Sequence, residues 1–285
     1  MLRTREAWRA LLHSSTHKGF LLRTAAPASQ HRCFPMVATH LQQASRWDGS
    51  GSQADLMQKD ECILVDEQDN IVGSANKYRS HQFTEKQPEG LLHRAFSVFL
   101  FNHDNKLLLQ QRALSKITFP GVWTNTCCSH PLHGHTPTEL DGPEDIANGS
   151  VMGAKRAAVR KLEHELGIVP QELPLTDFHF LTRLHYCAAD TDTYGPDAEW
   201  GEHEVDYILF IKAAVSLKPN PEEVEDTRYV TLPELKDMMA PSTPLRWSPW
   251  FRIIAENFLE EWWTNLDKAI STDAYLDVKS IHNIL

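Results

Sequence analysis

Two segments of this sequence hold residues whose types and spacing can do chemistry. The first is Thr124-Asn-Thr-Cys-Cys-Ser-His-Pro131, which follows Pro120 and Gly121 and so reads as lying in or beside a loop. A cysteine near a histidine can be a nucleophile, an acid/base or a metal ligand. It can equally be buried and inert, the usual fate of the residue. Cys127 and Cys128 are adjacent, and neighbours on an extended segment point opposite ways, so the two are not expected to be buried together. The second segment is Trp200-Gly-Glu-His-Glu-Val-Asp-Tyr-Ile-Leu-Phe210. Strand alternation puts Glu202, Glu204 and Asp206 on one face, each roughly 7 Å from the next. Carboxylates so spaced can share a metal, or one can bind metal while another moves a proton. From Val205 the strand is largely apolar, so its acidic end meets a core, where carboxylates are costly unless a cation offsets them. The alternative is a solvated strand end.

Histidines number 15. Most read as surface residues, including His133 and His135 in their Gly/Pro loop. His81 and His93 stand out only in company, because residues 77–81 and 91–96 flank a loop leading into the first long strand. With His130, Glu202 and Glu204 they would make a three-histidine, two-carboxylate site, suited to zinc, manganese or iron and not calcium. A third segment, Arg160-Lys-Leu-Glu-His-Glu-Leu-Gly-Ile168, resembles the second half of a degenerate Nudix box. Arg160, Leu162, Glu165, Gly167 and Ile168 match it. In that register the opening glycine falls on Ile146, and the other glutamates fall on Met152, Lys161 and His164. In Nudix hydrolases those carboxylates assemble magnesium for pyrophosphate cleavage. The one left, Glu165, is compatible with a single magnesium and weighs against hydrolysis. Alone, the segment would read as an ordinary amphipathic helix.

These residues need elements to hold them. The globular part is expected to start near Gln58. Residues 61–66 read as a strand, Asp69-Asn70 as a turn and 71–73 as the return. Residues 94–101, rich in β-formers, pair through a turn at 102–105 with 106–111. A helix is predicted from about Pro143 to Leu166, stopping at Gly167, with Ala154, Ala157, Ala158, Leu162 and Leu166 at helical spacing. Strands follow at about 176–187 and 204–213, and two helices, near 232–240 and 249–269, close the chain. This order argues for an α+β fold, a mixed sheet covered by helices in a single domain.

The chain has 285 residues, 41% of them apolar, enough for a substantial core. A net charge of −10 gives no basis for non-specific nucleic-acid binding, and no apolar run reaches the ~18 residues of a membrane span. Five cysteines, two of them adjacent, make a poor disulfide framework and suit a reducing compartment. Residues 1–47 carry Arg3, Arg5, Arg9, Lys18, Arg23, Arg32 and Arg46 against Glu6 alone, a composition like that of a mitochondrial transit peptide. The segment also reads as a disordered tail, or as a leader bypassed by starting at Met36. Residues 1–57 are therefore set apart from a domain at 58–285. The final residues, 280–285, match a Ser-Lys-Leu-type peroxisomal address poorly.

Together the segments resemble one family, the type I, Nudix-fold isopentenyl-diphosphate delta-isomerases. The matching segments are 92–101, 106–112, 120–131, 201–207 and 248–250, in the family's order over about 58–270. The resemblance implies a Nudix-type sheet and interconversion of isopentenyl and dimethylallyl diphosphates through a carbocation, in isoprenoid biosynthesis. It implies Cys128, not Cys127, as one acid/base and Glu204 as the other, assisted by Tyr186. It implies His81, His93, His130, Glu202 and Glu204 as ligands of a divalent metal (zinc, manganese or magnesium), and Glu165 as ligand of a Mg2+ bound with the substrate. It implies Lys77, Arg112, Lys116 and Lys161 as cations for the diphosphate, and Trp250 beside the hydrocarbon end. Lys161 replaces an arginine found in some members, keeping the charge but losing the bidentate fork. The implied partner is a small prenyl diphosphate, with no nucleic acid and no membrane. A monomer is expected, cytoplasmic or sent to mitochondria by residues 1–47. The rival readings are a Nudix hydrolase of a diphosphate compound and a non-catalytic Nudix binding module. The lost box carboxylates count against the first, and the Cys128/Glu204 pair against the second.

Overall fold

The computed structural model describes residues 53–284. Helix α1 (Gln53–Lys59) straddles the expected boundary at 57/58; the basic leader and Met36 lie outside the described residues. Ten strands form one mixed sheet: β1 (Glu61–Val65), β2 (Ile71–Asn76), β3 (His93–Phe101), β4 (Leu107–Arg112), β5 (Trp123–Thr124), β6 (Cys127–Ser129), β7 (His179–Ala189), β8 (Gly201–Lys212), β9 (Val224–Val230) and β10 (Ile281–Asn283). The main path is β10-β7-β8-β3-β1-β2, with β4 and β6 also pairing β3, and β5 and β9 pairing β4. β3 runs parallel to β8 and antiparallel to β6, and every one of its residues is buried. Alternation sends Val98 and Leu100 into a core with Ala154, Ala157 and Leu162. Phe99 and Phe101 enter a second core with Phe251, Trp262 and Trp263.

The helix predicted over 143–166 is two helices, α3 (Pro143–Ala147) and α4 (Met152–Leu166). They are parted where Gly149 and Val151 take left-handed φ of +71° and +36°. No side chain at the N-cap position caps α4. Instead Asp141 accepts the Gly153 and Ala154 N–H groups at 2.6 and 2.8 Å. The stop at Gly167 is as expected: its φ is +65°, and a Cβ there would sit 2.4 Å from Lys218 O.

Other differences bear on the site. Residues 77–81, which flank the loop before β3 as expected, form helix α2 (Lys77–His81), capped by Asn76. The cysteines themselves lie on β6, beside the bend at Asn125–Thr126 rather than within it. β9 and β10 were not expected, and the chain closes on β10 rather than on helices. A three-residue strand has too few residues to show a period. The helix predicted over 249–269 runs through Pro249–Thr264 with a π turn at Ala255–Leu259, and breaks only at Asn265 before Leu266–Ser271. No helix among the described residues is long and apolar enough to cross a membrane.

Candidate active site and metal centre

Four elements bring five ligand-type side chains to one buried point. Glu202 and Glu204 alternate on β8, and His93 opens β3 opposite Glu204 in the parallel register. His130 follows β6, and His81 ends α2. One ligand atom of each lies within 4.8 Å of all the others. Nδ1 of His81 meets Lys77 O, and Nδ1 of His93 meets Leu91 O, both at 2.7 Å. A carbonyl accepts only, so each Nδ1 carries the proton and each Nε2 presents its lone pair to the cluster. Burial pushes His93 down to about 3 and His130 well below its ordinary value, so these imidazoles stay neutral ligands. Burial, with the charges of Glu202 and Asp206, pushes Glu204 well up.

His81 Nε2 and Glu202 Oε2 are 2.8 Å apart, yet these atoms and His93 Nε2 are buried without a well-formed hydrogen bond. Such orphans are rare and costly in a folded protein. A cation among them would satisfy all three at once. Three imidazoles and two carboxylates fit a divalent transition metal.

Beside the cluster is a cavity of about 20 Å³, little more than one water's room. Of the expected residues, Lys77, Arg112, Lys116 and Glu165 supply its charged lining. Cys128, Tyr186, Glu202, Glu204 and Trp250 reach it from the core side, and Thr118 and Ser129, not foreseen, complete it. The two cysteines part by alternation. Cys127, opposite Val98, packs into the α4 core, whereas Cys128, opposite Ser97, faces the cavity. Burial pushes the Cys128 thiol up, so it holds its proton at neutral pH and is suited to donate it. Glu204 reaches the cavity from β8, on the other edge of β3. Its Oε2 accepts the Tyr186 hydroxyl, and its Oε1 lies 2.8 Å from His130 Nε2.

The Thr-Asn-Thr before the cysteines has a positioning task. Asn125 donates to Val98 O and Cys127 O at 3.1 and 2.9 Å and accepts the Trp250 indole N–H at 3.1 Å. Thr126 donates to Leu108 O at 2.6 Å and accepts Leu100 N–H at 2.9 Å. Buried backbone groups are thereby paired, and β3, β4 and β6 are tied to the helix that carries Trp250.

The cations come paired. Lys116 meets Glu223 at 2.5 Å. Lys161 stands behind the cavity wall, 3.1 Å from Glu165 and 3.0 Å from His164 Nδ1. Burial alone would lower Lys161, but Glu223 and Glu165 raise it above the ordinary lysine range. Arg112 donates to Thr118 O and Phe119 O at 2.7 and 3.0 Å, with its guanidinium 5.6 Å from the Trp250 ring centre. Sequence reasoning missed Glu223, because nothing in the polar run before β9 marks it; only folding beside Lys116 does.

Comparison with known proteins gives the family. The NUDIX domain family matches residues 91–251. The isopentenyl-diphosphate delta-isomerase of Gibberella zeae is 49% identical over 90% of this chain and 94% of its own. The chloroplastic isopentenyl-diphosphate delta-isomerase I of Arabidopsis thaliana is 43% identical over 92% of this chain and 87% of its own. The isopentenyl-diphosphate delta-isomerase I of Camptotheca acuminata is 46% identical over 82% and 94%. With this sheet and these relatives along most of its length, the chain belongs to the isopentenyl-diphosphate delta-isomerase family, built on a Nudix fold.

Proposed function

We propose that the chain interconverts isopentenyl and dimethylallyl diphosphates, in isoprenoid biosynthesis, with Cys128 and Glu204 as its acid/base pair. One observation carries this reading. A protonated thiol and a buried carboxyl, from strands on opposite edges of β3, open into one cavity with an indole and several cations.

Moving an unactivated double bond requires adding a proton at one carbon and removing one from another. One member of the pair donates and leaves a tertiary cation on the substrate; the other takes the proton whose loss forms the new alkene. Tyr186 orients Glu204 through its hydroxyl. The Trp250 face stabilises the cation by about 1–2 kcal/mol, and water, which would trap it as an alcohol, must be kept from it during the reaction. Lys77, Arg112 and Lys116 hold the diphosphate, with Lys161 behind them. A divalent metal on the five-ligand cluster would fix Glu204 and offset the burial that raises it, keeping it ionised so that it can accept a proton, and Mg2+ on Glu165 would neutralise the diphosphate. Four described cysteines are free, in keeping with a reducing, cytoplasmic setting for a monomer that residues 1–47 can direct to mitochondria.

Purified protein given isopentenyl diphosphate and Mg2+ is expected to release dimethylallyl diphosphate. Phosphate release without an allylic product would overturn this in favour of hydrolysis. Met152, Lys161 and His164, standing at box carboxylate positions, argue against that outcome.

A further inference from the structure

The turn at 117–119 is held in an unfavourable backbone shape by a distant part of the chain. Phe119 has φ of +49°, the left-handed region that bulky side chains rarely adopt. Its N–H donates to Asp190 Oδ2 at 2.7 Å, from an acid that is 1% exposed. Asp190 Oδ1 accepts Thr193 N–H at 3.2 Å, and the Tyr194 hydroxyl donates to Ile117 O at 2.7 Å. Residues 190–194 thus grip the turn at both ends. So held, the turn touches three parts of the site. Its Thr118 and Phe119 carbonyls take the Arg112 fork. Its Thr118 hydroxyl donates to Glu202 Oε1 at 3.3 Å. Its Phe119 ring meets Trp250 edge-on, 5.4 Å between centres.

We propose that Asp190 is a positioning residue for the isomerisation. By holding Phe119 left-handed, it sets Arg112, Glu202 and Trp250 together while forming no part of the cavity wall itself. Without this acceptor the Phe119 N–H is buried and unpaired, and the backbone is free to leave the left-handed region. Both carbonyls would then turn from Arg112, and the ring from Trp250. The proposal rests on the isomerase reading.

The test uses the full, metal-loaded chain. Asp190→Ala is expected to lower kcat by about 10-fold or more, with a smaller rise in KM, while near-UV circular dichroism and bound metal stay those of the wild type. Asp190→Asn keeps one acceptor oxygen and should recover part of the loss. Full kcat in folded Asp190→Ala overturns the proposal, whatever happens to Tm; if that variant does not fold, Asp190→Leu, which fills the same space without an acceptor, decides by the same criterion. A double-mutant cycle checks the route. Glycine takes positive φ unaided, so Asp190→Ala should cost less in a Phe119→Gly background, and an equal cost in both backgrounds overturns it. A wild type that does not isomerise sinks the isomerase reading instead. Asp190 is then judged by calorimetric binding of dimethylallyl diphosphate with Mg2+, where wild-type affinity in Asp190→Ala overturns its role.

Discussion

One position in sequence separates Cys127 from Cys128, and strand alternation gives them opposite surroundings. Cys128→Ala is expected to cut kcat by about 10²–10⁴. Cys127→Ala should leave kcat within a few-fold and cost about 1 kcal/mol of stability through a small gap in the α4 core. Steady-state kinetics and urea midpoints separate the two, and a large rate loss on the Cys127 side would reverse the assignment. His93 carries a pH prediction. Burial holds it at about 3 in the fold, against 6.5 ordinarily. A depressed folded value means the unfolded chain takes up protons first. The His93 contribution is therefore complete above 6.5 and drains away as pH falls toward 3. In metal-free protein, the stability of wild type relative to His93→Gln should decline over that window, as read from urea midpoints at each pH.

At the scale of elements, buried acids pin together what hydrophobic pattern only outlines. Asp69 reads in sequence as half of a turn. In the fold it is 3% exposed at φ +66° and accepts Arg94 at 2.6 Å, Arg183 at 3.0 Å and the Tyr207 hydroxyl at 2.5 Å. It therefore locks the β1–β2 turn onto β3, β7 and β8. Removing one partner of a buried charge network leaves the others uncompensated, so Asp69→Ala should cost about 3–5 kcal/mol in denaturant unfolding. Asp141 plays a smaller part at the start of α4, and Asp141→Ala should cost about 1–2 kcal/mol. Strands β1, β2, β3, β4, β7 and β8 and the Gly167 stop were legible because each repeats a short-range pattern or uses a residue with one conformational purpose. The break between α3 and α4 was not, because apolar spacing runs on while the backbone turns at Gly149 and Val151.

For the molecule as a whole, the five-ligand cluster joins α2, β3, β6 and β8, so metal should act as a cross-link of the fold. Metal at about 1,000 times its Kd would add roughly 4 kcal/mol of stability. Thorough chelation should lower Tm and abolish turnover, with both restored by adding metal back; turnover that survives would separate catalysis from the cluster. The cavity has room for little more than one water and is open on one side, so a prenyl diphosphate would displace lining side chains or extend outward from it. The Lys116–Glu223 and Lys161–Glu165 pairs are the contacts a diphosphate would compete with.

The sequence alone determined the residue types, the longer strands, and the carboxylates shared by one face of β8. Those features follow from neighbours a few positions apart, where period and sterics act. Tertiary structure alone decided that Cys127–Ser129 is a strand beside β3, that Glu223 faces Lys116, and that Asp190 holds Phe119. Each of these contacts joins residues far apart in the chain, and ion pairs and hydrogen bonds between them form only once the sheet has brought their strands together.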